Sequence, residues 1–441
     1  MHRTLFFIPA ELASCPMFGF GVLLAVWAAA SVIVIVWQAW RHGSAAAWSY
    51  VPLLLLIGAM IAWLLPAISE PEGLPIRGYG TMIMFGVIAG TWLTAWRAKR
   101  IGVDPEVIYS MAFWLIIPGI VGARIFYVVH FWPEYWRYYT EPDGGLLPLL
   151  GNLINLTKGG LVVYGAFLGA LLGLWLFVRR HHGSLLAVGD LVAPGMALGV
   201  AIGRIGCLMN GCCFGAVCDQ PWAITFPVDS DAYAAQVQRG QMYGMTLGGD
   251  PDSLPRLLAV QRGGLADQAG LKPGDRLESL NDLKLPTTGY AFEALKDAYI
   301  RRQPLQLLVD GRKITIPAAA VRQQSLPVHP TQVYSVIDAL AICLILLLCD
   351  RRRHRDGALF ALMLSIYPVT RFWIEGLRSD EAPVFGTGMS IAQIVSLLLL
   401  ACAAGLWIYI LRRPVAESEG SRAFGVDHGV RDERKTGKSG R

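Results

Sequence analysis

AVGDLVAPGMALGVAIGRIGCLM, residues 187–209, decides how this chain folds. As a helix rising about 1.5 Å per residue it crosses the roughly 30 Å of a bilayer's hydrocarbon. It is apolar or small throughout except at Asp190 and Arg204. A guanidinium within such a helix costs about 2.5–3.5 kcal/mol on insertion scales, so it faces a polar cavity and marks a functional path. Arg124 and Arg371 interrupt membrane-length apolar runs in the same way. Hydrophobic residues make up 54% of the 441 and charged ones only 16%, which excludes a soluble globular protein. The net charge of +6 is not a nucleic-acid signature, because Lys and Arg cluster between apolar runs and report topology.

Nine spans are expected, near residues 17–40, 51–68, 79–96, 107–131, 160–178, 187–209, 331–349, 357–375 and 389–411. Basic clusters at 41–42, 97–100, 179–182, 351–355 and 412–413 fall on one side, which the positive-inside rule makes cytoplasmic. The fold class is thus an all-α polytopic membrane bundle, N-terminus outside and C-terminus inside, with residues 210–330 extracytoplasmic. No cleavable signal peptide is expected, since Pro9 and Glu11 break the first apolar stretch. Residues 414–441 lack apolar periodicity and read as a disordered cytoplasmic tail.

The external segment is too long for a structureless loop. Short strands and turns with a helical run at 290–300 predict an inserted α+β domain over 240–318. Within it ADQAGLKPGDRL, residues 266–277, resembles the core of a PDZ domain, which implies capture of a peptide. Tyr243-Gly244-Met245 is the candidate carboxylate-binding loop.

Depth gathers the polar residues. Span direction puts Arg124, Arg204 and Arg371 in the outer half of their helices, with Tyr79 and Tyr164 at the outer starts of theirs. Three arginines together suggest a phosphate site. Tyr367, Arg371 and Glu375 are spaced i, i+4, i+8 and share a helix face, where Glu375 can hold the Arg371 side chain. Salt bridges serving packing alone would be the simpler reading, but they leave Arg124 and Arg204 needing partners.

GRIGCLMNGCCFG, residues 203–215, resembles the signature of the prolipoprotein diacylglyceryl transferase family, Gly-Arg-x-Gly-Asn-Phe-x-Asn-Gly-Glu-x-x-Gly. Further pieces match in the family's order: IRGYG with Tyr79, GARIFYVVHF with Arg124, KGGLVVYGAFLGALLG around Tyr164, HPTQVY from His329, and YPVTRFWIEGLRSD from Tyr367. The resemblance implies a multi-pass enzyme of the bacterial inner membrane that uses no cofactor or metal. It implies phosphatidylglycerol as donor and the lipobox cysteine of a prolipoprotein signal peptide as acceptor, with glycerol phosphate as leaving group. Catalytic roles would fall to Tyr164, Arg204 and Arg371, and substrate binding to Tyr79, Arg124, Asn210, Tyr367 and Glu375. Residues 75–239 and 319–413 would form the transferase core, and 1–74 extra N-terminal helices.

Three positions depart from the family. Its histidine is Tyr164 here, its first signature asparagine is Cys207, and its glutamate is Cys212. A phenol of pKa about 10 is a poor base for a thiol of pKa about 8.5, so His329 is the other candidate base. The departures create a cluster of Cys207, Cys212, Cys213 and Cys218. Its spacing is not a familiar zinc or iron–sulfur pattern, and on an extracytoplasmic face a disulfide within it is expected. Neither an HExxH pair nor a GxSxG nucleophile is present, which disfavours an intramembrane protease. The remaining rival is a non-enzymatic lipid-binding or PDZ scaffold protein.

Overall fold

The computed structural model describes residues 4–12, 15–70, 72–140, 145–154, 160, 162–181, 183–248, 252–350, 355–378 and 387–412. The expected tail at 414–441 lies outside the described residues. In chain order the described α-helices are α1 (Val22–His42), α2 (Ser44–Ala59), α3 (Leu65–Ile68), α4 (Gly78–Arg100), α5 (Pro105–His130), α6 (Trp132–Thr140), α7 (Leu146–Ile154), α8 (Val163–Arg180), α9 (Leu185–Asn210), α10 (Asp231–Gln238), α11 (Leu265–Gln268), α12 (Thr288–Ile300), α13 (Thr331–Asp350), α14 (Ala358–Gly376) and α15 (Ile391–Arg412). A π-helical turn, Met60–Leu64, joins α2 to α3.

Seven of these segments are long and apolar enough to cross a membrane: Val22–Arg41, Tyr50–Ile68, Pro105–His130, Leu185–Asn210, Thr331–Asp350, Ala358–Gly376 and Ile391–Arg412. Helices also stand where the other two spans are expected, at α4 and α8. Glycine, threonine and a basic last turn dilute α4, and α8 is only 18 residues long with two of them arginine.

The chain forms two compact units, Gly78–Ile108 with His181–Arg441 and Thr4–Arg77 with Tyr109–Arg180. In the first, α4 lies against α9 backbone to backbone. A Cβ at Gly90 would come 2.6 Å from the Gly195 carbonyl oxygen, and one at Gly86 2.9 Å from that of Gly199. Lipid tails supply no hydrophobic drive between helices, so close approach through small residues is what binds them. In the second unit α5 and α8 meet the same way, with Gly165 against the Gly122 carbonyl and Gly169 against that of Pro118.

Polar groups lock the end of the first unit that carries the basic clusters. Arg97, expected in a loop, is 4% exposed on the last turns of α4. It pairs with Asp350 at 2.7 Å and donates to the carbonyls of Asp190 and Leu191. The wholly buried Asp190 carboxylate accepts the backbone N–H groups of Gly357 at 2.7 Å and Phe360 at 2.8 Å. It thereby caps α14, where the helix dipole favours a negative charge. Midway along α13, Asp338 accepts from the Thr370 hydroxyl of α14 at 3.0 Å.

The segment between α9 and α13 is an α+β module. Its four-stranded antiparallel sheet runs in the order Arg312–Ile316, Leu305–Val309, Leu277–Leu280, Leu283–Lys284, and a separate hairpin pairs Met245–Gly248 with Arg256–Val260. Leu277, Leu295, Leu305 and Val309 form its core. That core reaches back to Tyr233 and Val237 of α10, beyond the expected boundary at 240. The module stands on a stem in which Ile224 bridges Val328 and Pro227 bridges Gln324.

Removing the α14 cap by Asp190→Ala should lower stability by about 1–2 kcal/mol, whereas Asp190→Asn, which keeps an acceptor oxygen, should lose less. Thermal unfolding in detergent checks this, and equal midpoints for all three proteins would show the cap to be dispensable.

Candidate functional site

The site assembles at the far end of α9 and α14. Glu375, 4% exposed, receives Arg371 at 2.7 Å and Arg378 at 3.0 Å on one oxygen, while its other oxygen accepts from the Ser390 hydroxyl at 3.3 Å. Arg371, Glu375 and Arg378 lie four and three residues apart, so one turn-repeat of α14 and its end brings them together. The carboxylate is saturated by these three donors. Arg204 lies close enough to Arg371 for the two charges to interact, and its own side-chain hydrogen bond is with Tyr367, one turn before Arg371. Among the described residues Arg204 forms no ion pair. Arg371 Nη1 is buried and has no hydrogen-bond partner among them.

This arrangement has a chemical meaning. The Arg204 and Arg371 charges lie within reach of each other, the Glu375 carboxylate is already shared by Arg371 and Arg378, and one Arg371 donor nitrogen has no hydrogen-bond partner among the described residues. Leaving a buried donor unsatisfied costs about 1–3 kcal/mol, more for a charged group. An oxyanion with several acceptor oxygens meets that need, and the planar fork of arginine suits phosphate in particular.

Tyr79 stands on the first turn of α4, where Gly206 permits the approach: a Cβ there would lie 3.2 Å from the Tyr79 carbonyl oxygen. Its phenol is within electrostatic reach of Arg204 and of Cys207, Cys212 and Cys213. Asn210, the last residue of α9, donates its amide to Asp231 of α10 at 3.0 Å. Tyr79, Arg204, Tyr367, Arg371 and Glu375 are therefore brought together, and Asn210 ties their frame to the external module.

Arg124 and Tyr164 belong to the second unit. Arg124 donates to three backbone carbonyls, those of Leu153 at 2.8 Å, Asn152 at 2.6 Å and Gly160 at 3.1 Å. It also lies 5.5 Å from the Tyr127 ring centre and 5.6 Å from that of Tyr135. Its fork thus clamps the end of α7. Tyr164, in the first turn of α8, is half exposed.

The loop after α9 is fixed by backbone pairing. Gly215 N–H donates to the His329 carbonyl at 3.0 Å and Ala216 N–H to that of Leu377 at 2.9 Å, which binds it to the start of α13 and the end of α14. His329 Nδ1 meets the Tyr334 hydroxyl at 3.3 Å, and that hydroxyl accepts from Trp222 at 2.8 Å.

The expected disulfide is corrected: all eight cysteines are free. Gly211, at φ +74°, ends α9 in the left-handed conformation and turns the chain back, with the Cys212 N–H donating to the Cys207 carbonyl. Cys207, Cys212 and Cys213 consequently place their sulfur atoms within 4.8 Å of one another. Cys218 is not in this group, because the chain has by then left the cluster to pair with Pro327.

Sequence reasoning missed Arg378, Ser390 and Asp338. Arg378 was legible as the third charge at helical spacing after Arg371 and Glu375, but Ser390 reaches Glu375 only through the return of the chain into α15.

In the external module a cleft of about 330 Å³ is lined by Tyr243, Gly244, Gln261, Arg262, Leu265 and Gln268, among others. Tyr243 is 1% exposed, and burial pushes its phenol up to about 12, so it stays neutral.

These motifs and their setting agree with the chain's relatives. The sequence profile of the family described as Prolipoprotein diacylglyceryl transferase matches residues 66–409. A phosphatidylglycerol–prolipoprotein diacylglyceryl transferase from Rhodopirellula baltica is 32% identical, covering 91% of this chain and 88% of that protein. Proteins of the same description from Gloeobacter violaceus and Synechococcus elongatus are 28% and 27% identical, over 78% and 80% of this chain and 91% and 90% of theirs. With the signature arginine, the paired guanidinium groups and this extent of similarity on one chain, the protein belongs to the prolipoprotein diacylglyceryl transferase family and is a transferase.

Proposed function

We propose that this enzyme moves a diacylglyceryl group from phosphatidylglycerol to the lipobox cysteine thiol of a prolipoprotein and releases glycerol phosphate. The reaction takes place in the outer leaflet of a bacterial inner membrane, crossed nine times with the N-terminus outside. The observation that carries this reading is the pair Arg204 and Arg371, with a buried Nη1 of Arg371 lacking a hydrogen-bond partner among the described residues. The bond that breaks is between the glycerol carbon and a phosphate oxygen, so negative charge grows on the phosphate as the thiolate attacks. Donors fixed before the reaction stabilise that charge without reorganising. Glu375 orients Arg371 and, being shared with Arg378 and Ser390, does not cancel its charge.

Tyr367 holds Arg204 in place, and Tyr79 lies where it can meet the head group. Asn210 supports the site through Asp231. Arg124, with its donors spent on carbonyls, is assigned to positioning the segment that follows α7. Tyr164 is assigned to orienting the substrate. The external module is assigned to acceptor recruitment in the manner of a PDZ domain, with the chain's candidate carboxylate loop at Tyr243 and Gly244 lining its cleft beside the cation Arg262.

Replacing Arg204 or Arg371 by Gln should reduce transfer by at least about 100-fold while the protein still inserts and accumulates. Lys should restore little, because an ammonium lacks the planar fork. Transfer of a radiolabelled diacylglyceryl group in detergent micelles measures this, and near-normal turnover in Arg204→Gln would overturn the assignment.

Excising residues 240–318 and closing the gap with a Gly/Ser linker should keep basal transfer, because α10 and its contacts with the end of α9 remain. The variant should melt earlier, since Tyr233 and Val237 lose the core they pack in. Competition among several precursor peptides, with and without the module, tests recruitment. Equal preference in both proteins would refute it.

A further inference from the structure

Cys207, Cys212 and Cys213 converge beside the arginine pair. Their sulfur atoms lie within 4.8 Å of one another and all three residues are partly buried. Four thiolates around a tetrahedral zinc ion, at about 2.3 Å each, lie roughly 3.8 Å apart, so the three need to close by no more than about 1 Å. The surrounding backbone is pinned. The Thr331 hydroxyl donates to the Cys213 carbonyl at 2.6 Å and the Gln332 amide to that of Cys212 at 2.7 Å. Cys213 is held at φ +58°, a left-handed conformation that residues with a side chain rarely adopt. Gln332, 1% exposed, keeps Oε1 without a hydrogen-bond partner among the described residues. The three sulfur atoms are thus held together by a loop whose backbone is fixed on both sides of the turn.

We propose that Cys207, Cys212 and Cys213 bind a zinc ion whose open fourth position takes the acceptor thiol and delivers it as a thiolate. Three protein ligands with a fourth position free is the pattern of catalytic zinc, and soft thiolates select it over hard cations. The inference rests on the reading that the acceptor is a thiol. The charges of Arg204 and Arg378 act on Cys213, so the negative zinc–thiolate group has counter-charges in place. Arg204 is one helical turn before Cys207, which sets the metal next to the phosphate pocket.

The step balances without a redox partner. The acceptor thiol displaces the metal-bound water, its proton passing to solvent as the zinc–sulfur bond forms, because a coordinating thiol is deprotonated outright. A sulfur lone pair then attacks the glycerol carbon. The carbon–sulfur bond forms, the carbon–oxygen bond breaks, and its electron pair leaves on the phosphate. The resulting thioether is a weaker donor than a thiolate and leaves the metal. No separate base for the acceptor thiol is then needed beside the arginines, where the one carboxylate described, Glu375, is engaged by Arg371 and Arg378.

The test uses the full chain purified in detergent without chelator. Elemental analysis should find about one zinc per chain, lost in Cys207→Ser, Cys212→Ser and Cys213→Ser and kept in Cys218→Ser. Cobalt exchanged into the site should show thiolate-to-cobalt charge-transfer absorption, which a cysteine-bearing acceptor peptide alters and its serine counterpart does not. At pH 7 a free thiol of pKa about 8.5 is only about 3% thiolate. Metal removal should therefore slow transfer about 30-fold at pH 7 and progressively less toward pH 8.5, with zinc restoring it. A chain that holds no zinc and takes up no cobalt, or that joins two of the three cysteines in a disulfide, would overturn the proposal. So would a cobalt spectrum blind to the thiol, or unchanged transfer after verified metal removal. Metal content and the cobalt spectrum are read without donor lipid, so they stand or fall separately from the transfer reaction.

Discussion

A buried guanidinium must find partners, because hydrocarbon offers none, and this requirement organises the molecule. It is met completely at Arg97, where Asp350 and two carbonyls take the donors. At Arg124 three carbonyls and two aromatic rings do the same. Among the described residues it is not fully met at Arg371 and Arg204, where Glu375 divides one carboxylate among Arg371, Arg378 and Ser390 and Arg204 faces the Tyr367 phenol. The same residue type therefore does two jobs. Saturated arginines hold the ends of helices, and the unsaturated pair is the one proposed above to receive the phosphate. Desolvating a charge costs several kcal/mol even after relaxation, so a deficit among the described residues at Arg371 is the feature that the proposed phosphate would meet.

The packing around that deficit follows from it. Donors stabilise a developing charge only if they are held still, and stillness here comes from glycine contacts and end caps. Gly86 and Gly90 let α4 lie on α9, which carries Tyr79 to Gly206 and so to Arg204. At the other end Asp190 caps α14, the helix that presents Tyr367, Arg371 and Glu375. Both arms of the site are thus anchored on α9.

Much of this was legible in the sequence, for physical reasons. Apolar runs of membrane length locate helices because backbone polar groups must be satisfied within the segment, and helical spacing showed that Glu375 could hold Arg371. The three arginines looked alike in sequence, however. What separates Arg124 from Arg204 is a set of carbonyls near the end of α7 and at Gly160, and backbone acceptors carry no sequence signal. Which cysteines meet was hidden for a related reason: the αL turn at Gly211 folds Cys212 and Cys213 back over the end of α9, and spacing alone does not show such a turn. The module boundary slipped because α10 has a weak amphipathic pattern, and its buried side is set by α12 and the rest of the module.

The external module is joined to the site by more than its stem. Ala232 N–H donates to the Gly211 carbonyl at 3.0 Å, and Asp231 accepts from Asn210. A side chain at Gly211 would meet Ser230 Cβ at 2.7 Å. The start of α10 therefore caps the helix that carries Arg204, on the very turn that gathers the cysteines. α10 contributes Tyr233 and Val237 to the module's core, and the Tyr233 hydroxyl donates to the Arg322 carbonyl at 2.8 Å, in the segment that leads to α13. One short helix is thus part of two structures at once, the packed interior of the module and the end cap of α9. The module and the helix that carries Arg204 therefore meet at Gly211, adjacent to Cys212 and four residues after Cys207.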